Sequence, residues 1–315
     1  MSGRSNLQVT GLSIFFKSQM SLVSVIIPAR NEQFLRQTTE ELLSKATGEI
    51  EIIICLDGYY PPDTLSDERV KYLHKEKSDG MRNAINSCVE VAKGDFIMKI
   101  DGHCMVSKGY DEALANCCEK DWVIIPTRKR LDAENWCIQE TKKLDIEAMY
   151  LGYPDDEDGW GGAGMNGKVW NDKIIKNKDI RLDDEIGFQG SCWFMHRDYF
   201  YFLELMDNEN YGTFGKEPQE IGLKCWLSGG MVKRNKDVFY AHLHKGKRYG
   251  RGYPLDKRDF DKATKYCNKF CSNQGWHKQT RTFKSLIDHF SPMPEWEKAE
   301  WNEDGSLVLP PNINI

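Results

Sequence analysis

The chain has 315 residues and a mass of 36.4 kDa, a length that suits one large domain or two small ones. Hydrophobic residues make up 40% of the chain and its mean hydropathy is −0.60, so we expect a packed core and exclude disorder over most of the length. The 43 basic and 48 acidic side chains give a net charge of −5, which argues against binding polyanions over the whole surface.

One stretch departs from this acidic average. Residues 233–269 hold 12 Lys or Arg against 4 Asp or Glu, a local charge of +8. We interpret this stretch as a local basic surface that can bind phosphate groups.

The cysteines and the apolar runs indicate a cytoplasmic protein. Ten cysteines in 315 residues are too sparse for a disulfide scaffold, and none form a C-x-x-C pair, so we expect free thiols in a reducing compartment. No stretch approaches the ~18 apolar residues of a membrane span. Residues 1–19 do not have the pattern of a signal peptide and are interpreted as an N-terminal extension.

Short β-branched runs alternate with amphipathic stretches along the first half of the chain. The predicted strands are 23–27, 51–56, 70–73, 96–100 and 123–126, and the predicted helices are 33–45, 80–92 and 134–150. Short strands separated by helices are typical of βαβ units on a parallel sheet. The expected fold class is α/β, with a mostly parallel central sheet flanked by helices.

The second half predicts further elements and a distinct tail. A loop rich in Gly, Asp and Trp is expected over residues 152–172, and the predicted elements after it are strand 192–195, a helix near 217–227 and strand 238–242. The tail is rich in Trp and Pro and is expected to pack as an irregular strap. The predicted division is an extension (1–19), a main domain (20–265) and a C-terminal strap (266–315).

Polar residues follow three of the predicted strands directly. Residues 29–32 follow the first strand, Asp57 follows the second, and Asp101 and His103 follow the fourth. Parallel sheets bind their ligands at the carboxyl ends of strands, although a single Asp there is often only a turn residue or a helix cap. In an extended Asp-x-His segment both side chains lie on one face and can reach one cation. Carboxylate and imidazole together suit Mn²⁺ better than Ca²⁺.

Five segments resemble the motifs of enzymes that use nucleotide sugars. Ser24–Glu32 is similar to the opening strand of the GT-A glycosyltransferases of family 2. Four later segments resemble the polypeptide N-acetylgalactosaminyltransferases, a related retaining family; they are Gly80–Ala84, Asp101–His103, Gly190–Phe200 and Phe214–Gly230. The resemblance covers residues 22 to about 250. It implies a GT-A fold with a Rossmann-like sheet and a metal-dependent hexosyl- or N-acetylhexosaminyltransferase that uses a UDP-sugar.

The resemblance also implies a metal site. In the related family a histidine ligand follows the closing Gly-Gly by twelve residues, which is His242 in this chain, with His244 as a reserve. Asp101, His103 and His242 would then hold Mn²⁺ or Mg²⁺, and the cation would neutralise the leaving diphosphate. Without the resemblance, His242 would be read as an ordinary strand histidine.

Further residues are implied as donor contacts or catalytic groups. Arg82 would face the diphosphate, Asp57 would bind the nucleoside, and Glu217 and Glu220 are expected as catalytic residues, with Glu217 on the donor sugar. The other implied donor-binding residues are Pro28, Ala29, Arg30, Glu32, Gly80, Gly190, Ser191, Lys245 and Arg248. The glycines of segment 244–252 would let it fold over the diphosphate as a lid; the alternative is a solvated basic loop.

Residue 218 bears on the stereochemistry of transfer. Inverting family-2 enzymes usually carry a catalytic Asp at the position that Pro218 occupies, whereas the retaining relatives carry Asn. Proline cannot deprotonate an acceptor, so we expect retention, with the leaving phosphate assisting the incoming hydroxyl.

The acceptor and two other functions stay open. The acceptor is a glycan, a protein hydroxyl or, given the basic stretch, a hydroxymethylated base of viral DNA. A nucleotidyltransferase normally has a Gly-rich loop after its first strand, where this chain has Pro28–Glu32. An inactive sugar-binding module would be expected to lose its metal ligands. The animal relatives have a membrane anchor and a lectin domain that this sequence does not show, so we expect a soluble protein in the cytoplasm of a bacterium or of a virus-infected cell.

Overall fold

The computed structural model describes residues 21–154, 164–311 and 313. Its strands are β1 (Val23–Ala29), β2 (Ile50–Asp57), β3 (Val70–Lys75), β4 (Phe96–Ile100), β5 (Cys104–Val106), β6 (Trp122–Asp132), β7 (Cys137–Ile138), β8 (Met149–Leu151), β9 (Gly167–Val169), β10 (Leu182–Asp184), β11 (Cys192–His196) and β12 (Met231–His242). Its helices are α1 (Leu35–Lys45), α2 (Met81–Val91), α3 (Tyr110–Ala115), α4 (Asn171–Lys176), α5 (Arg197–Phe202), α6 (Asn208–Tyr211), α7 (Glu217–Leu227), α8 (Gly246–Tyr249), α9 (Lys257–Lys269) and α10 (Phe283–His289). The predicted extension 1–19 and part of the predicted 152–172 loop lie outside the described residues.

Ten of the strands form one central sheet. Its order is β10-β12-β6-β11-β4-β1-β2-β3, with β5 paired to β12 and β7 paired to β6. β1 runs parallel to β2 and β4, β2 to β3, and β6 to β12, while β11 lies antiparallel between β4 and β6. The expected α/β class with a mostly parallel sheet is confirmed. The carboxyl ends of β1, β4 and β12 consequently lie at the same edge of the sheet.

Both faces of the sheet are covered, which explains why its strands are continuous apolar runs. In β1, Val25 and Ile27 point into one apolar cluster together with Leu42 of α1. Ile26, between them, points into the other cluster together with Ile85 of α2. Successive side chains thus point to opposite faces of the sheet. Because both faces are packed against apolar clusters, the strand does not alternate apolar with polar residues.

The predicted helix over residues 134–150 is wrong. β6 continues to Asp132 and turns back into β7, and Met149 begins the short strand β8. Oδ1 of Asp132 accepts hydrogen bonds from the backbone N–H groups of Glu134 and Asn135, which makes a turn of the kind that aspartate favours. Trp136 then adopts a left-handed conformation with φ of 47°, which ends any helical path.

The C-terminal segment packs on the sheet, but it is partly helical rather than irregular. α10 contributes Phe283 and Leu286 to the same apolar cluster as α2, and Trp276 and Trp296 join that cluster from the loops. The predicted boundary at residue 265 falls inside α9, and the division into main domain and strap stays a prediction. Among the described residues, no helix is long and apolar enough to cross a membrane.

We expect Trp296→Ala to lower the free energy of unfolding by about 3–5 kcal/mol, the cost typical of truncating a buried aromatic side chain. Trp296 is 6% exposed, and its Nε1 donates to the carbonyl oxygen of Leu151 at 2.7 Å. Chemical denaturation measures the change. As a control, Tyr60→Ala removes an aromatic ring that is 61% exposed and should shift stability by less than about 0.5 kcal/mol. Equal effects of the two substitutions would contradict the packing described here.

Candidate active site

Strand pairing assembles the three residues predicted to bind a metal. Asp101 follows β4, His103 precedes β5, and His242 is the last residue of β12. β5 pairs antiparallel with β12 so that His242 lies opposite Cys104, next to His103 in the chain. Ligand atoms of Asp101, His103 and His242 all lie within 4.8 Å of one another. These three residues, called the triad below, form a cluster whose spacing could hold one metal ion.

The triad pairs a charged carboxylate with a neutral imidazole. Nε2 of His242 lies 3.1 Å from Oδ2 of Asp101, and Nζ of Lys99 lies 2.7 Å from Oδ1 of Asp101. Burial alone would raise the pKa of Asp101, but the charge of Lys99 and the hydrogen bond from His242 outweigh it and hold the pKa well below its usual range. Burial lowers the pKa of His242 to about 3, although Asp101 opposes this shift. The ring of His242 is therefore uncharged near neutral pH.

His103 is oriented by a second carboxylate. Its Nδ1 lies 2.9 Å from Oε2 of Glu32, which is 6% exposed. Histidines that bind metals typically donate their other ring N–H to a carboxylate in this way, which leaves Nε2 free for the cation. Oε1 of Glu32 accepts a hydrogen bond from Nζ of Lys245 at 2.7 Å.

The donor set of the triad fits a borderline divalent cation such as Mn²⁺, since it combines one carboxylate with two imidazoles. One neighbour opposes the fit. Nη2 of Arg128 lies 3.0 Å from Nδ1 of His242, and a guanidinium can only donate. In this arrangement the ring proton of His242 lies on Nε2. A cation bound at Nε2 would place that proton on Nδ1 and would require the guanidinium of Arg128 to move away.

A buried lysine joins the triad to Glu217. Lys99 is 1% exposed, and its Nζ contacts Asp101, the carbonyl oxygen of Gly190 at 2.6 Å and Oε1 of Glu217 at 3.6 Å. The same Oε1 accepts a hydrogen bond from Nε1 of Trp193 at 2.6 Å. Burial raises the pKa of Glu217, although Lys99 opposes the shift. Our sequence reasoning missed Lys99, yet a lone Lys in an otherwise apolar strand, two residues before Asp101, was a usable signal.

Glu220 and Arg82 form an ion pair inside the protein. Both side chains are fully buried and in direct contact. Nη2 of Arg82 also donates to the carbonyl oxygen of Gly215 at 2.7 Å, and Nζ of Lys224 lies 2.9 Å from Oε1 of Glu220. Arg82 was expected to face the diphosphate; in the structure its guanidinium is fully buried and contacts Glu220. The pair joins α2 to α7 and supports Glu217 at the start of α7.

Asp57 also has a different setting from the one expected. Its carboxylate is fully buried and accepts hydrogen bonds from Oγ of Ser78 at 2.7 Å and from the backbone N–H groups of Asp79 at 3.0 Å and Gly80 at 3.2 Å. These internal donors hold the loop that leads into α2. The expected contact between Asp57 and a nucleoside would have to compete with them, because its oxygens are already bonded.

Two adjoining cavities open beside the triad. The larger, of about 470 Å³, is lined by Asp101, His103 and His242 and by a loop over residues 243–253, which we call the cover loop. The smaller, of about 240 Å³, is lined by Lys99, Asp101 and Glu217. Asp101 thus lies between the two cavities. Phe214 lines both cavities and Tyr253 lines the larger one; our sequence reasoning did not single out either residue.

Some of the remaining predicted residues line one of the two cavities, and others do not. Pro28, Glu32, Lys245 and the reserve ligand His244 line the larger cavity, and Gly190 and Ser191 line the smaller one. Ala29 is buried at the end of β1, Gly80 immediately precedes α2, and Arg30 donates to the carbonyl oxygens of Gly252 and Asp57. Arg248 does not line the cavities described here; it is exposed and paired with Glu134.

The basic stretch 233–269 does not form one continuous basic surface, contrary to expectation. In β12, Lys233 pairs with Asp184, and the buried Arg234 pairs with Glu185 at 2.9 Å. Of the basic side chains in this stretch, those that line the larger cavity are Lys245, Lys247 and Arg251 of the cover loop. The positive charge that this stretch contributes near the triad therefore comes from the cover loop.

The triad lies at the carboxyl edge of a mostly parallel sheet, where sheets of this kind bind their ligands. The model of the family "Glycosyl transferase family 2" matches residues 24–202, more than half of the chain. The chain therefore belongs to glycosyl transferase family 2.

Individual relatives share limited sequence identity with this chain, and each is longer than the region that matches. Glycosyltransferase GlyG of Streptococcus pneumoniae is 32% identical over 101 residues, which are 30% of this chain and 34% of GlyG. Polypeptide N-acetylgalactosaminyltransferase 5 of Caenorhabditis elegans is 21% identical over 235 residues, which are 69% of this chain and 36% of that enzyme. The matches thus span about a third of the length of these relatives.

Solved structures show the same fold. The crystal structure of GalNAc-T7 with UDP, GalNAc and Mn²⁺ has a TM-score of 0.57 at 17% identity and covers 75% of this chain and 45% of that chain. The structure of S. aureus TarS 1-349 in complex with UDP-GlcNAc has a TM-score of 0.52 at 14% identity. The match covers 81% of this chain and 68% of that chain. The expected GT-A fold is confirmed.

We expect Arg128→Gln to raise the affinity of the protein for Mn²⁺ several-fold. The substitution removes a positive charge beside the triad, and the Gln carbonyl can accept the proton that a metal-bound His242 carries on Nδ1. Isothermal titration of the nucleotide-free protein with Mn²⁺ measures the change. Arg130→Gln, on the same strand, is the control, because Arg130 bonds the carbonyl oxygen of Leu144 instead. Weaker Mn²⁺ binding by Arg128→Gln would contradict this account of His242.

Proposed function

We propose that this protein is a metal-dependent glycosyltransferase that moves a sugar from a UDP-sugar to an acceptor hydroxyl with retention of configuration. The observation that carries the proposal is the triad of Asp101, His103 and His242 at the carboxyl edge of a GT-A sheet, with a cavity on either side of Asp101. Family membership supports it, as do the UDP, Mn²⁺ and UDP-GlcNAc bound by the two structural relatives.

The cavities suggest how a donor would be placed. The diphosphate would lie at the triad, beside the cationic side chains of Lys245 and Lys247. The nucleoside would extend along the apolar part of the larger cavity, where the rings of Phe214 and Tyr253 lie nearly parallel with centroids 6.2 Å apart. The sugar would occupy the smaller cavity, against Glu217.

The chain's own groups would then act on the bound donor. A divalent cation held by the triad would neutralise the charge that develops on the leaving diphosphate. Lys99 holds Oδ1 of Asp101, and a cation that replaced the Nε2 proton of His242 would have Oδ2 as a ligand. Trp193 and Lys99 hold Glu217 at the wall of the smaller cavity, where its carboxylate can contact the sugar. Pairing with Arg82 keeps Glu220 away from the donor, so Glu220 serves as a positioning residue.

The engagement of the carboxylates favours retention. Among the described residues that line the two cavities, the carboxylates are Glu32, Asp101 and Glu217. Each already has an internal hydrogen-bonding or cationic partner, and the residue after Glu217 is Pro218. An inverting reaction needs a general base for the acceptor. In a retaining reaction the leaving phosphate can take the acceptor proton, so these residues suffice.

We expect slow release of UDP from one sugar nucleotide of a panel, dependent on Mn²⁺ and abolished by chelator. Asp101→Ala should lower the release rate by about 10²–10³-fold, because it removes a ligand of a catalytic cation. The control is Asp288→Ala, which removes an exposed carboxylate of α10. Proton NMR should detect the α-anomer first when the donor is α-linked. If chelator does not change the rate of UDP release, metal dependence is refuted. If the β-anomer of the released sugar forms first from an α-linked donor, retention is refuted.

We expect Tyr253→Phe to weaken the binding of UDP about fivefold while leaving the affinity for Mn²⁺ unchanged. Tyr253 is 8% exposed, and no hydrogen-bond partner of its hydroxyl is found among the described residues, so a nucleoside could supply one. A hydrogen bond of this kind contributes about 1 kcal/mol. Isothermal titration with UDP measures the loss. Tyr249→Phe in the same loop is the control, since its ring packs on Phe34. Equal UDP affinities in both variants would contradict the placement of the nucleoside.

A further inference from the structure

Glu32 lies between the triad and the cover loop. Its buried carboxylate uses its two oxygens for different partners. Oε2 contacts His103 of the triad at 2.9 Å, and Oε1 accepts from Lys245 of the cover loop at 2.7 Å. One carboxylate therefore joins a candidate metal ligand to a residue of the loop over the site.

Two further anchors of the cover loop involve its backbone. At its start, the N–H of Leu243 donates to the carbonyl oxygen of His103 at 3.2 Å. Near its end, Nε of Arg30 donates to the carbonyl oxygen of Gly252 at 3.1 Å. A Cβ atom at residue 252 would come within 2.1 Å of the carbonyl oxygen of Arg30, so only glycine allows this approach.

The part of the loop between these anchors is largely exposed. Gly246 and Gly250 have positive φ angles of 52° and 65°, and a Cβ atom at either position would meet no neighbour. Lys247 and Arg248, between them, are exposed. The ion pair between Lys245 and Glu32 lies at the start of this exposed part, and it is a largely buried polar contact that holds the loop towards the triad.

We propose that Glu32 is a positioning residue that couples cation binding at the triad to the ordering of the cover loop. A cation on Nε2 of His103 fixes the imidazole ring and, through Nδ1, the carboxylate of Glu32. A fixed carboxylate presents Oε1 to Lys245 in one orientation. Because coupling between two sites is reciprocal, the Lys245 contact strengthens cation binding by the same factor. The inference rests on the proposed function in taking the triad as a cation site.

This role differs from the direct donor contact that the sequence implied for Glu32. A direct contact would add a negatively charged acceptor next to a negatively charged diphosphate. The structure instead pairs both oxygens with donors of the protein, so Glu32 acts on the donor through His103 and Lys245.

The first test is the affinity of the nucleotide-free protein for Mn²⁺, followed by electron paramagnetic resonance. Glu32→Gln replaces one acceptor oxygen by an amide that cannot accept, so we expect the affinity to fall about 10–100-fold, as is typical for the loss of a carboxylate behind a metal-binding histidine. Lys245→Met should lower it several-fold. The matched control is Glu134→Gln, which breaks the exposed pair between Glu134 and Arg248 of the cover loop without touching His103; its Mn²⁺ affinity should equal that of the wild type.

The second test is limited trypsin cleavage within the cover loop, after Lys247, Arg248 or Arg251. Mn²⁺ should slow cleavage of the wild-type protein, and this protection should be lost in both Glu32→Gln and Lys245→Met. Glu134→Gln should be cleaved faster overall but should keep its protection by Mn²⁺. This readout separates coupling from a general loosening of the loop.

The outcomes distinguish the inference from the proposed function. Wild-type binding of Mn²⁺ together with unchanged affinity and unchanged protection in Glu32→Gln would overturn the coupling and leave the metal site in place. A wild-type protein that binds no Mn²⁺ would overturn the metal site and the coupling together. If thermal melting shows that Glu32→Gln does not fold, Lys245→Met on the surface loop decides the question, and unchanged Mn²⁺ affinity and protection there overturn the coupling.

Discussion

The candidate site depends on the pairing of buried charges. Glu217 and Glu220 are buried carboxylates and Asp101 is a partly buried one, and an unpaired charge in a protein interior is costly. Lys99 compensates Asp101 and Glu217, and Arg82 compensates Glu220. Such pairs contribute little net stability compared with apolar residues, but removing one partner typically costs about 3–5 kcal/mol. Their physical effect is therefore positional, since each carboxylate has one orientation in which its charge is matched.

Strand register supplies the other half of that positioning. β12 runs parallel to β6 with an irregularity between Asn235 and Phe239, and beyond it the strand continues to His242. The short strand β5 pairs with the same end of β12. His103, which precedes β5, therefore lies beside the ring of His242. A shift of one residue in either pairing would turn His242 to the opposite face of the sheet and disperse the triad.

The parts of this structure that follow from local pattern could be predicted from the sequence. The buried strands, α1, α2 and α7 follow from apolar runs and helical spacing, and the triad follows from a motif of fixed spacing. The helix predicted over residues 134–150 was wrong because the turn at Asp132 ends β6 in a hairpin, whatever the helical spacing of the apolar residues that follow. The roles of Asp57 and Arg82 could not be assigned in advance, because a motif fixes the position of a side chain but does not show which internal partner it bonds.

The chemistry of the site depends on residues outside its motifs. The carboxylates beside the cavities are held by partners that lie far away in sequence, such as Trp193 for Glu217 and Lys245 for Glu32. A substitution at a partner therefore changes the site without altering any motif residue. Glu32 and Arg30, which hold the cover loop by hydrogen bonds, come from a loop rather than a strand, and loops vary more readily among related proteins. Variation in donor and acceptor choice within this fold would accordingly concentrate in the cover loop, while the charge pairs beneath it keep Asp101 and Glu217 in place.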